Sequence, residues 1–594
     1  MAARLTRLTQ VLLLLLGILS LRLVQLQVFQ GGRNARLSDR NRIRKLVLPA
    51  PRGRILDRNG VLLADTRPSF TASVIPTELP DSVLPLLARL LDISETDLRE
   101  QLRPVAMYYS PVNVKRDVSI EEVARIEESR FRLPGVHIRV DPVRNYPAAN
   151  RYCHLLGHIG EASHDELARD TSLRPLDFVG RAGIEAQYES LLRGRDGSEY
   201  AEVDARGQEI GPLPEKRPEP EIPGRDLVLT IDDRIQRLAR TLLAPYARAA
   251  VVGMETRTGA IICLVSKPDF DPNIFMAPID PATWDSLISN PSKPFFNRAV
   301  TSGYPPGSAM KPVVALGALR QGALTRTTRF QPCTGSYKYG NRNFKCTARH
   351  GNLDLVGAIA QSCNTYFYQA GLRLGLDSLT AYARAVGLGR VTGIDMPGEK
   401  PGNVPSREWL DTRYGKNKWG AGSVLNLAIG QGEVTATPLQ MAVLYGAIAG
   451  DGRAVRPYLV ARVDSAGRTI HTTVPGIHQL PMRQRDIDVV KLGLERVVEW
   501  GTGTGARIKD IRIAGKTGTA QNPPKPDHAW FVGYAPSDEP EVVFAVLVEN
   551  AGHGGVVSAP IAGQLIRAYF SPQEPEPEQP AATDTSSATP DQNP

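Results

Sequence analysis

The C-terminal part of this sequence predicts an α+β fold, an antiparallel sheet covered by helices. Residues 249–254 and 260–266 are apolar runs joined near Thr258-Gly259, the pattern of a buried hairpin. Residues 512–515, 529–533 and 541–549 read as further strands far along the chain. Between these two groups the sequence is helical and rich in loops.

From the start, Arg4 and Arg7 precede an apolar run over 11–21, and Arg22, Gln25 and Gln27 interrupt a stretch that continues to Phe29. No small-x-small cleavage pattern follows, so 1–30 is expected to be an uncleaved membrane anchor with a cytoplasmic N-terminus. Arg40, Arg42, Arg44 and Lys45 pull slightly against that orientation, and the polar face of the span offers a surface for a partner's membrane helices. Residues 31–224 mix short strands, amphipathic helices and turns. The run Pro51-Arg52-Gly53-Arg54-Ile55-Leu56-Asp57-Arg58-Asn59-Gly60 predicts a strand ending in an Asn-Gly turn. Helices are expected near 83–102 and 119–129, and Gly183-Ile184-Glu185 opens another running to Leu192. Prolines from Pro212 to Pro223, then Gly224, mark a boundary.

Beyond it, 227–231 predicts a strand, 232–244 an amphipathic helix and 560–570 a closing helix. Pro, Glu, Gln, Ala and Ser dominate from 571, which predicts a disordered tail. Four segments follow: the anchor 1–30, an N-terminal module 31–224, a main domain 225–570 and the tail 571–594.

Composition bounds the function classes. With 42% hydrophobic and 22% charged residues in 594, general disorder is excluded. A net charge of +9 is modest for this length and no nucleic-acid motif accompanies it, so no nucleic-acid partner is expected. Five cysteines are too few for a disulfide scaffold.

The chemistry gathers around Tyr304-Pro305-Pro306-Gly307-Ser308-Ala309-Met310-Lys311-Pro312, a proline-braced turn entering a helix. Three residues apart on one helix face, Ser308 and Lys311 pair a hydroxyl with an amine near the positive end of the helix dipole. A lysine serves as base for a serine if burial leaves it neutral. Alone the pattern is weak, because a capping serine before a surface lysine is common. Ser362-Cys363-Asn364 and Lys516-Thr517-Gly518-Thr519 follow in order. Ser-x-x-Lys, Ser-x-Asn and Lys-Thr-Gly form the signature set of penicillin-binding proteins and serine β-lactamases.

With these motifs in place the chain resembles the class B penicillin-binding proteins, anchored peptidoglycan transpeptidases. Arg52-Gly53-Arg54-Ile55-Leu56-Asp57-Arg58 and Gly183-Ile184-Glu185 look like that family's pedestal motifs. Asn297-Arg298-Ala299 and Asn364-Thr365-Tyr366-Phe367-Tyr368 resemble the branch that drives side-wall elongation, with the division-specific branch the nearest rival. The resemblance implies a penicillin-binding/serine β-lactamase-like domain on an elongated, dimerisation-like pedestal, held in the inner membrane with its catalytic domain in the periplasm. It implies Ser308 as nucleophile, Lys311 as base, Ser362 as proton relay, Asn364 as orienting group and Lys516 as positive charge beside the substrate carboxylate. Thr517, Gly518 and Thr519 would bind substrate, and the backbone N–H groups of Ser308 and Thr519 would form an oxyanion hole. Stem peptides and β-lactams are the implied ligands. A SEDS-type glycosyltransferase and elongation scaffold proteins are the implied partners.

A class A β-lactamase would need a further carboxylate for deacylation, and no Glu-x-x-Leu-Asn segment lies between Asn364 and Lys516. A β-lactam sensor would carry several spans, and an inactive scaffold is disfavoured by three intact motifs. The chemistry needs no cofactor. Cys333, Cys346, His350 and Cys363 nevertheless have the types and spacing of a tetrahedral zinc site. The alternative is a Cys333–Cys346 disulfide with Cys363 as a small buried residue. Cys153, Cys263, His154, His158 and His528 are expected to be packing or surface residues.

Overall fold

The computed structural model describes residues 2–30, 43–107, 111–170, 172–174, 177–203, 209–213, 216–276, 279–416 and 418–571. Arg40, Arg42 and the tail from 572 onward lie outside these described residues. The chain opens with a helix over Ala2–Val24 that widens into a looser turn over Gln25–Phe29. Its Leu12–Phe29 stretch is long and apolar enough to cross a membrane, and none of it is buried against the rest of the protein.

The Asn-Gly turn forms as the sequence predicts. The Asp57 carboxylate accepts from the backbone N–H of Asn59 and of Val61, both at 2.8 Å, folding Ile55–Leu56 back onto Leu62–Val74. Ser119 and Glu122 close a capping box on the Ile120–Glu128 helix. The helix expected over 83–102 is instead two, Leu84–Leu90 and Glu95–Leu102, broken where Asp92 takes a left-handed conformation. The one expected to run to Leu192 also divides, at Tyr188.

A seven-stranded sheet runs through the molecule in the order Arg468–Thr472, Val460–Ser465, Asp226–Leu229, Ile55–Leu56, Leu62–Val74 and Val112–Val118, with Val136–Asn145 also paired to Leu62–Val74. Asp226–Leu229 joins Ile55–Leu56 in parallel and Val460–Ser465 antiparallel, so residues from both sides of Gly224 share one sheet. A salt bridge from Arg54 to Asp226 at 2.8 Å reinforces that junction.

The main domain is built on a five-stranded antiparallel sheet ordered Ile261–Lys267, Ala249–Glu255, Val542–Val548, Lys525–Ala535 and Ala514–Asn522. Both faces are covered. Asp233–Leu242 and Ser558–Phe570 pack on one side. On the other lies Pro438–Ala449, apolar almost all round and buried at every residue but Val443, as a helix at the centre of a large core must be. Truncating a leucine such as Leu444 there would cost about 2–5 kcal/mol. Ala514–Asn522 is the open edge of this sheet and extends well past the expected end at Gly515.

Candidate active site

The Ser308 segment is held on three sides. Tyr304 and Ala436 exchange backbone hydrogen bonds at 2.9 Å, and Gly307 N–H donates to Gly430 C=O at 2.9 Å. Gly307 has a φ of 54°, and a Cβ there would lie 2.6 Å from the Thr519 carbonyl oxygen. A Cβ on Gly518 would lie 2.6 Å from the Pro306 oxygen. The Lys516 strand therefore passes close against the serine turn, and only glycine fits at both crossings. A tight turn over Gly307–Met310 leads into the Lys311–Arg320 helix, with Pro312 in its first turn. Ser308 stays half-exposed while Lys311 to Leu319 are all buried.

Burial without a carboxylate is what makes Lys311 chemically unusual. Its Nζ donates to Ser362 C=O at 2.6 Å, to Ser362 Oγ at 3.1 Å and to Asn364 Oδ1 at 2.7 Å. It also lies 5.5 Å above the centre of the Phe367 ring. Desolvation pulls its pKa down to about 8. Ser362 occupies the turn between the Leu355–Ala360 and Asn364–Leu374 helices with a φ of 56°, rare for a non-glycine residue. That conformation brings both oxygens of Ser362 onto one amine. Lys516 is fully buried, and burial, followed by the charge of Lys311, holds its pKa well below the ordinary value.

The structure thus joins Ser362, Asn364 and Lys311 directly and sets the strand of Lys516, Thr517, Gly518 and Thr519 along the Ser308 turn. Other residues of the groove escape the motifs. Thr502 is exposed and its hydroxyl lies 2.6 Å from that of Thr517. Gln431 Nε2 donates to the Thr519 carbonyl at 2.9 Å, and its Oε1 accepts from Gln521 N–H at 3.2 Å. Glu549 accepts from Tyr304 OH at 2.8 Å and from Arg298 Nε at 2.7 Å, bracing the serine segment from the neighbouring strand end. The glycine-threonine run 501–505 was the available sequence signal for Thr502; nothing local marks the other two.

Cys333, Cys346, His350 and Cys363 come together with all four ligand atoms within 4.8 Å of one another. The two sulfur-to-imidazole distances are 3.6 and 3.4 Å, and Cys346 Sγ lies 4.0 Å from Cys363 Sγ. Metal–ligand bonds of about 2.0–2.3 Å at tetrahedral angles give edges of about 3.5–3.8 Å, close to these spacings. All five cysteines are free thiols. The backbone N–H of Asn364 donates to Cys346 Sγ at 3.2 Å, tying the cluster to the second motif. The other three histidines singled out in the sequence, His154, His158 and His528, do structural work. His154 is buried with Nε2 2.7 Å from the Pro294 oxygen, His158 stacks on Phe275, and His528 Nδ1 accepts from the backbone N–H of Asn550.

A buried lysine shared by a Ser-x-Asn turn, beside a half-exposed serine and an edge strand carrying Lys-Thr-Gly, defines a penicillin-recognising serine acyltransferase. Comparison with known sequences narrows this. Residues 249–567 match the penicillin binding protein transpeptidase domain and residues 47–229 the penicillin-binding protein dimerisation domain. The chain is 35% identical to the peptidoglycan D,D-transpeptidase MrdA of Acinetobacter baumannii, over 93% of this chain and 84% of that one. Among solved structures it resembles PBP2 in the complex of that protein with MreC from Helicobacter pylori, with a TM-score of 0.77, 27% identity, and coverage of 88% of this chain and 99% of that one. A chain of a peptidoglycan synthase complex that couples polymerization and crosslinking matches with a TM-score of 0.71 at 31% identity, covering 96% of this chain and 98% of that one. The chain belongs to the penicillin-binding protein transpeptidase family.

Proposed function

We infer that this protein is an elongation-specific peptidoglycan D,D-transpeptidase that cross-links stem peptides through a serine acyl-enzyme and is acylated by β-lactams. The observation that carries the mechanism is the buried Lys311 amine, surrounded by neutral acceptors and depressed to about 8. At neutral pH roughly a tenth of it is uncharged and able to take a proton.

In the reaction we assign to the site, Ser308 Oγ attacks the carbonyl between two terminal D-alanines while Lys311 accepts its proton. Ser362, bonded to Lys311, relays that proton to the departing amine, and D-alanine leaves. Asn364 fixes the amine of Lys311. The backbone N–H groups of Ser308 and Thr519 receive the developing oxyanion, an arrangement that contributes about 3–4 kcal/mol per donor in related chemistry. Ala514–Asn522, as an edge strand, leaves alternate backbone groups open to an extended peptide. The substrate carboxylate would give Lys516 the counter-charge it lacks, beside the hydroxyls of Thr517 and Thr519, and Gly518 permits close approach. An amine from a second stem peptide then attacks the ester, restoring Ser308.

Intact-mass analysis after exposure to benzylpenicillin tests this. A persistent adduct on Ser308, absent in Ser308→Ala, is expected; rapid turnover of the adduct would mean a hydrolase.

Around this chemistry we place a structural zinc on Cys333, Cys346, His350 and Cys363, where it would lock the Ser362–Asn364 turn. Stoichiometric zinc in purified protein supports that reading, and a mapped Cys333–Cys346 disulfide overturns it. The solved relatives with MreC and in a synthase complex support a scaffold protein and a SEDS-type glycosyltransferase as partners, met through anchor and pedestal. The N-terminal helix, the one long and apolar enough to cross a membrane among the described residues, supports inner-membrane attachment, and Arg4 and Arg7 ahead of it favour a catalytic domain in the periplasm.

A further inference from the structure

Ala514–Asn522 is the edge strand on which a donor peptide would lie, yet part of that edge is already taken. Gln431 Nε2 donates to the Thr519 carbonyl at 2.9 Å, and its Oε1 accepts from the Gln521 N–H at 3.2 Å. One side-chain amide thus fills a donor place and an acceptor place that a paired strand would fill with its backbone. A residue in an antiparallel strand turns its N–H and C=O to the same side, so the Thr519 N–H faces this free edge as well.

Only the side chain of Gln431 is free to leave. Its backbone N–H donates to the Asn426 carbonyl at 2.9 Å, and the preceding carbonyl, that of Gly430, receives the Gly307 N–H at 2.9 Å. A Cβ on Gly430 would lie 2.0 Å from the Gly307 oxygen, so this backbone is wedged against the serine turn. The Gln431 side chain is half-exposed. Beside it a cavity of about 70 Å³ opens towards Leu376, Leu410 and Tyr414.

The ladder geometry fixes what a donor must bring. With the Thr519 N–H receiving the oxyanion, the residue whose carbonyl is attacked sits opposite Thr519. Such a residue exchanges both of its backbone groups, so its own N–H must reach the Thr519 carbonyl. Two residues earlier in the peptide, a carbonyl must take the Gln521 N–H. That N–H has a single proton, so peptide and Gln431 compete for it. We propose that Gln431 is a specificity-determining cap on the donor edge. Its amide stands in for substrate backbone in the free enzyme and turns into the adjoining cavity when a ligand supplies an N–H beside its reacting carbonyl. The cap rests on the acyl-enzyme reading of Ser308 and adds to it a preference for extended, backbone-pairing donors.

The test is the rate of Ser308 acylation by two β-lactams, followed by intact mass on the full chain in detergent. Benzylpenicillin carries an acylamino N–H beside its reacting carbonyl, whereas penicillanic acid sulfone carries only hydrogen there. Gln431→Met keeps the length of the side chain and removes both hydrogen bonds. It is expected to raise the benzylpenicillin rate about threefold to tenfold, the weight of one competing hydrogen bond, and to change the sulfone rate by less than about twofold. Gln431→Ala is expected to move the ratio of the two rates the same way. A side chain that merely supported the site would, once removed, slow both ligands together and leave the ratio where it was. An unchanged or lowered ratio in either variant, with the adduct still on Ser308, overturns the cap alone. Absence of a Ser308 adduct in wild type overturns the acyl-enzyme reading and the cap with it.

Discussion

Two clusters of buried cations in this protein look alike and behave in opposite ways. In the pedestal, Arg52 and Arg144 close on Glu185, all three side chains nearly or fully buried. Against the cost of burial, the charges of Glu185 and Glu189 raise the Arg52 pKa, and the charges of Arg144 and Arg52 keep Glu185 below its usual range despite its own burial. In the catalytic domain, Lys311 and Lys516 are equally buried but face amide, hydroxyl and carbonyl oxygens, and both are depressed. A buried cation matched by carboxylates is a fixed charge that joins chain segments. A buried cation hydrogen-bonded only to neutral oxygens is a proton carrier held near its switching point.

Substitutions that treat the clusters alike should separate them. Lys311→Met is expected to lower penicillin acylation by about a thousandfold or more, while melting temperature holds or rises, because an unpaired charge leaves the core. Stopped-flow acylation beside calorimetry checks both halves. Glu185→Ala should do the reverse, costing about 3–5 kcal/mol by stranding Arg52 and Arg144, with acylation kept in whatever fraction stays folded. A Glu185→Ala protein of unchanged stability would erase the distinction. The same contrast appears in pH. Lys311 acts as base when neutral, so acylation should rise about tenfold per unit up to about pH 8 and level off above it. For stability the folded pKa lies below the unfolded one, so the unfolded state binds more protons between the two. The folded state therefore gains stability as pH rises from about 8 towards the ordinary lysine value. The smallest effect is expected at Thr502. Thr502→Val should slow acylation by about threefold to tenfold, through the lost hydroxyl contact to Thr517, and Thr502→Ser should restore it.

The residues that the candidate site gathers were more legible in the sequence than the way they are held. Ser308, Lys311, Ser362, Asn364 and Lys516 were legible because each motif is a short local spacing whose residue types have few other joint uses. Caps and turns were legible for the same reason, as at Ser119–Glu122 and Asp57–Gly60. Other features depend on partners distant in sequence. The Ala514–Asn522 strand reads as ending at Gly515 because Gly515, Lys516 and Gly518, residue types depleted in strands, interrupt it; its pairing with Lys525–Ala535 supplies what these residues do not. The left-handed Ser362 gives no local signal, since its conformation is imposed by the helices on either side. Thr502, Gln431 and Glu549 reach the groove only through tertiary packing. The separation of the 83–102 helix at Asp92 was likewise hidden by continuous helical periodicity.

The sheet shared across Gly224 also dictates a timetable. Arg54 meets Asp226 across 172 positions and Thr230 meets Leu459 across 229, so Ile55–Leu56 waits for Asp226–Leu229, and that strand waits in turn for Val460–Ser465. Closing loops of that size is slow and brings no reward until the last partner arrives. A chain made from its N-terminus must therefore hold Asp226–Leu229 without its Val460–Ser465 neighbour through much of its synthesis. The enzyme is complete only once Val460–Ser465 has docked, which ties maturation of the pedestal to completion of the domain it supports.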